Sequence, residues 1–303
     1  MKTVFIDGSA GTTGLQIYER LKSRTDLRLL TLSEAERKDP AARKAALNAA
    51  DVSVLCLPAD AAREAAAMTE NGGAVLIDAS TAHRTDPAWV YGMPELPGQY
   101  ARIRDAKRIA NPGCHASGFI ALIAPLRHAG LLPRDAMLTC CSLTGYSGGG
   151  KKMIAAYEAP DRPAAYEAPR VYGLTQAHKH LPEMQKYADL DCAPVFIPTV
   201  APFYAGMLTT VGIFPSALGT TKQEITELLS SFYPANGRIH YAADADPDGF
   251  LSANALAGRD DMQISAFGTD DRLLLAARFD NLGKGASGAA VRNLEIVLHP
   301  DGA

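Results

Sequence analysis

A short apolar strand, Thr3 to Ile6, runs straight into Asp7-Gly8-Ser9-Ala10-Gly11-Thr12-Thr13-Gly14. Ile17, Tyr18 and Leu21 then mark one face of a helix. Glycine lets the backbone approach a pyrophosphate, whose charge meets the N-terminus of the helix that follows. The spacing is Gly-x-x-Gly-x-x-Gly rather than Gly-x-Gly-x-x-Gly. Most isolated glycines are plain turns, but a position between strand and helix is the context that dinucleotide binding requires.

The alternation continues. Leu27 to Leu32 reads as a second strand, and Asp39-Pro40 opens a helix with Asp as N-cap and Pro in the first turn. Asp51 to Leu57 is a third strand, Asp60 to Asn71 an alanine-rich helix, and Ala74 to Asp78 a fourth strand. Repeating strand–helix units predict an α/β fold, a Rossmann-type doubly wound parallel sheet. Ligands bind such sheets at the carboxyl ends of the strands. Glu34, past the second strand, would select NAD, whereas Ser33, Arg37 and Lys38 would hold a 2′-phosphate; the local cations lean towards NADP. After the fourth strand, Ser80 would meet cofactor phosphate or ribose and Arg84 an anionic substrate. As ordinary loop residues, both would make local hydrogen bonds only.

At 303 residues there is room for two domains, and a formal net charge of −3 leaves no basic surplus for nucleic acid. No apolar run approaches the roughly twenty residues that cross a membrane. The N-terminus enters a strand without a signal-peptide pattern, so the expectation is a cytoplasmic protein with no nucleic-acid or membrane partner. The cysteine count is odd, five, and no pair has Cys-x-x-Cys spacing, so neither a disulfide framework nor a metal site is expected. Cys56, Cys140 and Cys141 lie in apolar strand-like runs, and Cys192 lies in a polar loop.

Cys114 differs. A strand over 107–110 runs into Asn111-Pro112-Gly113-Cys114, and Phe119, Ile120, Leu122, Ile123 and Leu126 then read as a helix. The first helical turn offers unpaired N–H groups and the positive end of a dipole, which favour an anion. A thiol of reference pKa roughly 8.5 becomes a usable thiolate there. A buried core cysteine is the plain alternative, but Pro112-Gly113 is turn chemistry that exposes the next residue.

Met137 to Leu143 is strand-like, and Thr144-Gly145-Tyr146-Ser147-Gly148-Gly149-Gly150-Lys151-Lys152 is either a flexible linker or a phosphate-binding loop. The turn-rich stretch up to Pro169 reads as an excursion at a subunit contact. In His178-Lys179-His180-Leu181-Pro182-Glu183, a helix start would put His180 and Glu183 on one face. A carboxylate there would orient the imidazole and support its protonated form. Strands over 207–214, 238–242, 262–267 and 272–279 predict a largely antiparallel sheet. Thr221 to Glu224 is a capping box that opens a helix. A last helix, carrying Val291, Leu294, Ile296 and Leu298, is expected to pack back on the first domain. The domains expected are therefore 1–114 with 284–303, and an α+β catalytic and dimerisation domain over 115–283.

In their order and spacing these motifs, with Asp280-Asn281-Leu282-Gly283-Lys284-Gly285-Ala286, resemble the short form (type 2) of the N-acetyl-gamma-glutamyl-phosphate reductase family over nearly the whole chain. The resemblance implies an NADP(H)-dependent, phosphorylating aldehyde dehydrogenase of arginine biosynthesis. Such an enzyme reduces N-acetyl-glutamyl 5-phosphate to the 5-semialdehyde and releases inorganic phosphate. It implies Cys114 as the nucleophile that carries a thioester, with His180 or His178 as the acid–base group; Glu183 favours His180. Cofactor contacts would come from the stretch Gly8 to Gly14, Ser33, Arg37 and Ser80, and from Ser147, Gly148, Gly149, Asn281 and Gly285. Asn111, Arg84 and Lys151 would meet the substrate, and a homo-oligomer, dimer or tetramer, is implied. The related aspartate-semialdehyde dehydrogenases share the two-domain plan. Longer family members carry Arg-Gly-Ile where this chain has Ala205-Gly206-Met207, so the substrate-side arginine must be another, Arg84, Arg170 or Arg259. They also read His-Arg-His for His178-Lys179-His180. Other readings are the same chemistry on an aspartyl or aminoadipyl phosphate, or a non-catalytic nucleotide sensor. A cysteine hydrolase would leave the glycine loop without a purpose.

Overall fold

In the computed structural model, which describes residues 1–234, 237–245 and 248–299, β1 (Lys2–Asp7) is buried at every position after Lys2. A strand covered on both faces belongs inside a parallel sheet. It alternates with α1 (Thr12–Leu21), β2 (Leu27–Leu30), α2 (Pro40–Ala49), β3 (Val52–Leu55), α3 (Ala59–Met68) and β4 (Val75–Asp78). Then come β5 (Val90–Tyr91), α4 (Gln99–Arg104) and β6 (Arg108–Ala110). The six strands form one parallel sheet in the order β2-β1-β3-β4-β6-β5. Successive side chains point to opposite faces. Val4, Ile6, Val54 and Ile77 therefore meet Ile17 of α1 on one side. Phe5, Leu55 and Leu76 meet Leu47 of α2 and Ala62 of α3 on the other. That is the doubly wound arrangement. Asp39 caps α2 by accepting the Ala41 N–H at 3.0 Å, with Pro40 in the first turn.

The second unit opens with α5 (Cys114–His128), buried continuously from His115 to Leu126. It continues through β7 (Thr139–Gly145), α6 (Gly150–Glu158), β8 (Arg170–Val171), α7 (Leu181–Tyr187), β9 (Val195–Ala201) and β10 (Met207–Ile213). After these come α8 (Lys222–Phe232), β11 (Ile239–Tyr241), β12 (Met262–Gly268) and β13 (Leu273–Phe279). The seven strands run β11-β12-β13-β10-β7-β9-β8. α5 packs on β10 and β13. A Cβ on Gly118 would stand 2.5 Å from Thr209 Oγ1, so glycine at that position lets the helix lie close on β10. The capping box of α8 is formed, Thr221 accepting from the Glu224 N–H.

α9 (Gly288–Leu298) belongs to the first unit, where Ala290, Leu294 and Ile296 complete one core. The units are Met1–Pro112 with the segment from Ala286 onward, and Gly113–Gly285. Cys114 and Lys284 thus go with the second unit, against the break expected after 114 and before 284. The reason is local: Cys114 is the first residue of a helix seated on the second sheet, and Gly285 packs on Cys114. Residues 300–303 of the expected first domain lie outside the described residues. The second sheet is mixed. β7 with β9 and β11 with β12 are parallel, and the other four pairs are antiparallel. Residues 150–158, expected as the end of the glycine-rich loop and the start of a turn-rich excursion, are helical.

Candidate active site

In the first unit, Gly8 has φ +86°, and a Cβ there would stand 2.4 Å from the Cys56 carbonyl oxygen. A Cβ on Gly14 would stand 2.3 Å from the Gly8 carbonyl oxygen. Only glycine lets this turn fold tightly against α1. Gly8 to Gly11 line a cavity of about 260 Å³ together with Leu32, Arg37, Lys38, Cys56 and Pro58. Bare backbone at the start of a helix, with two cations at the far edge, suits the pyrophosphate and the adenosine end of a dinucleotide. Thr12 and Thr13 are the first two residues of α1. Behind the turn, buried Asp7 accepts from Arg43 at 2.9 Å. Burial and the nearby Asp7 and Asp78 push the Cys56 thiol up to about 12, which leaves it inert.

Other candidates of this unit hold local structure. Arg37 pairs with Glu34 on the exposed turn, and Ser33 accepts from the Glu36 N–H at 3.3 Å. Asp78, fully buried, accepts from the Ser80 hydroxyl at 2.9 Å and lies 2.7 Å from His83 Nδ1. Arg84, also buried, donates to the Ala79 carbonyl at 3.2 Å. Asn111 is 1% exposed; its amide donates to the Ala286 carbonyl and accepts from Asn293. These bonds tie β6 to the turn ahead of α9.

In the second unit the two stretches singled out by sequence meet. Gly113, N-cap of α5, donates its N–H to Glu183 Oε2 at 2.9 Å, and both residues are buried. Cys114 follows as the first helical residue, half-buried. A Cβ on Gly285 would stand 2.8 Å from the Cys114 Cβ. His180 is the N-cap of α7, and its N–H donates to His178 Nδ1 at 3.2 Å. The two rings stand 4.8 Å apart, and the His115 ring lies 5.7 Å from His178 and 5.6 Å from His180. Three imidazoles and a carboxylate therefore surround the start of α5.

His115 was not among the sequence candidates. It is buried, with Nδ1 2.7 Å from the Ser142 hydroxyl and Nε2 2.7 Å from the Tyr172 hydroxyl. Burial, with the charges of His178 and Lys179, pushes its pKa down to about 3, so the ring is neutral. Gly118, one turn along the same helix, lets α5 lie close on the sheet but does not by itself mark His115.

Asn281 and Ser147 are also brought together. The Asn281 amide donates to Ser147 Oγ at 3.0 Å and accepts the Gly206 N–H at 2.8 Å. Gly148 and Gly149 lie in the short turn Tyr146–Gly149 ahead of α6, and Lys151 is exposed in its first turn. Arg170 stacks on Tyr166 at 3.6 Å and donates to the Tyr157 hydroxyl. Arg259 pairs with Asp261 at 2.7 Å. Among the described residues no group of His, Cys, Asp and Glu could hold a metal ion, and no helix is long and apolar enough to cross a membrane.

Two family models match the chain. Residues 3–103 match the semialdehyde dehydrogenase NAD binding domain, and residues 114–281 match the semialdehyde dehydrogenase dimerisation domain. The chain is 47% identical over 302 residues to a protein of Burkholderia ambifaria named N-acetyl-gamma-glutamyl-phosphate reductase, covering 97% of this chain and 96% of that one. A Rhizobium meliloti protein of the same name is 48% identical over 305 residues, covering 97% and 98%. Among solved structures, aspartate semialdehyde dehydrogenase II from Vibrio cholerae shares the fold with a TM-score of 0.73 at 18% identity, each chain covered in full. An aspartate semialdehyde dehydrogenase with NADP from Candida albicans gives a TM-score of 0.70 at 15% identity, covering 98% and 99%.

Proposed function

We propose residue roles for a chain that belongs to the N-acetyl-gamma-glutamyl-phosphate reductases, within the semialdehyde dehydrogenase family. The enzyme is an NAD(P)-binding oxidoreductase of arginine biosynthesis that converts N-acetyl-gamma-glutamyl phosphate to its semialdehyde and releases phosphate. The single observation that carries the site assignment is Cys114 at the first position of α5, on a turn anchored by Glu183.

Cys114 attacks the acyl phosphate as the thiolate, with the helix start favouring its charge. The first N–H groups of α5 have no intrahelical acceptor and receive the oxyanion of the tetrahedral adduct. Phosphate leaves, and a thioester remains on Cys114. The bound nicotinamide, when present, supplies the hydride that takes the thioester to the aldehyde level. Collapse then frees the semialdehyde and restores the thiolate. One proton is consumed per turnover, and an imidazole delivers it to the departing phosphate.

For the acid–base group the sequence favours His180, because Glu183 would orient it. Glu183 accepts from the Gly113 backbone, and His180 is 4% exposed at the N-cap of α7. His178 is half-buried, and its Nδ1 accepts a backbone N–H, which leaves Nε2 to carry the exchangeable proton. We assign the proton to His178 and a packing and positioning role to His180. His115, neutral well below physiological pH, takes no proton.

NADP(H) is the cofactor we favour, because Arg37 and Lys38 line the adenosine end of the cavity. The assembly we favour is a homodimer, in keeping with the matched dimerisation domain. One face of the seven-stranded sheet is covered by α5. By register, the other carries Cys141, Thr210, Leu208 and Leu274, with Cys141 exposed and Leu274 41% exposed. We place the enzyme in the cytoplasm, where its charged acyl phosphate and cofactor are dissolved.

The test is site-resolved iodoacetamide labelling together with Cys114→Ser. Cys114 should label fastest and be protected by substrate, and the serine variant should bind NADPH without turnover. Wild-type turnover in Cys114→Ser would remove the assignment.

A further inference from the structure

At the end of β1, just before the glycine turn, lies a buried ion pair that the thioester chemistry does not use. Arg43, on α2, donates to Asp7 Oδ2 from Nε at 3.2 Å and from Nη2 at 2.9 Å. Asp7 is 3% exposed and Arg43 8%. Asp7 lines the cavity that Gly8 to Gly11 border, whereas Arg43 is not part of that wall.

We infer that Arg43 is a positioning residue for the dinucleotide: it holds and neutralises the Asp7 carboxylate in the cavity wall, so that anionic phosphates can enter beside it. This rests on the cavity being the cofactor's.

The charges of the wall carry the argument. The ionisable side chains that line the cavity are Asp7, Arg37, Lys38 and Cys56. Burial, with the nearby Asp7 and Asp78, keeps Cys56 a neutral thiol. Arg37 is paired with Glu34. Asp7 set against Lys38 then leaves the wall without net charge, and only the addition of Arg43 makes it positive. Two unit charges several ångströms apart, at an effective dielectric of about 20, change an affinity by roughly tenfold to a hundredfold. A bare carboxylate in this wall would therefore oppose the phosphates that the turn and the start of α1 attract.

Stability alone does not explain the pair. Taking two charges out of water costs about as much as their attraction gains, and an apolar pair of similar volume serves as well. The pair does fix the residue that leads into the turn. Two guanidinium N–H groups hold its side chain, and its carbonyl accepts the Cys56 N–H at 2.8 Å. Arg43 Nη2 also lies 3.5 Å from the Ala61 carbonyl of α3, so the guanidinium itself is seated between elements.

The test compares Asp7→Asn, Arg43→Met and the double variant with the wild-type enzyme. Each is followed by fluorescence titration with NADPH, by displacement of NADPH with adenosine, and by thermal unfolding. Arg43→Met leaves Asp7 uncompensated and should weaken NADPH binding about tenfold or more. Asp7→Asn keeps the cation and should bind NADPH as tightly as wild type or more tightly, although its unfolding temperature falls too. The double variant removes both charges and should return NADPH affinity to within about threefold of wild type. Adenosine, which carries no phosphate, should bind every variant within about twofold of wild type. A merely structural pair would instead weaken NADPH and adenosine together in both single variants, and that result overturns the proposal. So does unchanged NADPH affinity in Arg43→Met. Should Arg43→Met fail to fold, weakened NADPH binding in Asp7→Asn or in the double variant overturns it. Arg37→Ala separates the two levels. If it weakens NADPH binding while Arg43→Met does not, only this inference falls; if neither does, the cavity is not the cofactor's and both fall.

Discussion

The Gly113 N–H donates to Glu183 Oε2 across 2.9 Å, joining the turn before the nucleophile to the histidine motif 70 residues later. A buried carboxylate that accepts a backbone N–H cannot be trimmed without leaving that donor unsatisfied. Glu183→Ala should therefore cost about 1–3 kcal/mol of stability and misplace Cys114. Glu183→Gln keeps an acceptor at the same reach and should retain most activity. Thermal unfolding and kcat of the two variants check this, and equal losses in both would count against the hydrogen bond as the reason.

Gly285 stands against the nucleophile from the other side. An alanine there would put its Cβ 2.8 Å from the Cys114 Cβ, closer than such atoms approach without movement. A misplacement of roughly 1 Å at a reacting group costs on the order of a hundredfold in rate. Gly285→Ala should thus keep its circular dichroism spectrum and lose most of its kcat. Wild-type kcat would mean that the sulfur tolerates displacement.

Arg37 is the other test of a cavity wall. It pairs with exposed Glu34, an ion pair weak enough to exchange partners in water. Arg37→Ala should raise the KM for NADPH about tenfold or more and leave that for NADH nearly unchanged, since only the former carries the 2′-phosphate. Glu34→Gln should do the reverse to a lesser degree, by removing a competing acid. Parallel KM values for both cofactors in Arg37→Ala would place the 2′-phosphate elsewhere.

The first unit was legible because its signals are local. Strands buried on both faces, the Asp39-Pro40 cap and glycines ahead of α1 each occupy a few consecutive residues. β9 was hidden by Pro198 in the middle of its run, a residue that argues against a strand until its pairing with β7 is seen. Cys114 could be found from its turn. His115 could not, because a lone histidine at the head of an apolar helix reads as core. Its partners Ser142 and Tyr172 lie 27 and 57 residues away, and only the sheet brings them back. Glu183 was singled out for its place beside His180, but its hydrogen bond from the Gly113 backbone is one that no side-chain pattern records.

The same burial makes His115 an acid-sensitive point of the second unit. In the folded protein the imidazole stays neutral down to about pH 3, whereas in the unfolded chain it takes up a proton near its ordinary value of 6.5. Between these two values the unfolded state binds more protons, so stability is complete above pH 6.5 and falls as the pH drops through that window. The slope from this one group is at most about 1.4 kcal/mol per pH unit. Other titrating groups, including Asp51 with its lowered carboxyl, add their own slopes and are common to wild type and variant. The difference between wild type and His115→Gln isolates the histidine. Denaturant midpoints measured from neutral pH downwards should fall less steeply in His115→Gln, the two curves running parallel above pH 6.5 and converging or crossing below it. Parallel curves throughout would mean that His115 titrates alike in the folded and the unfolded states, and that its burial does not hold it neutral.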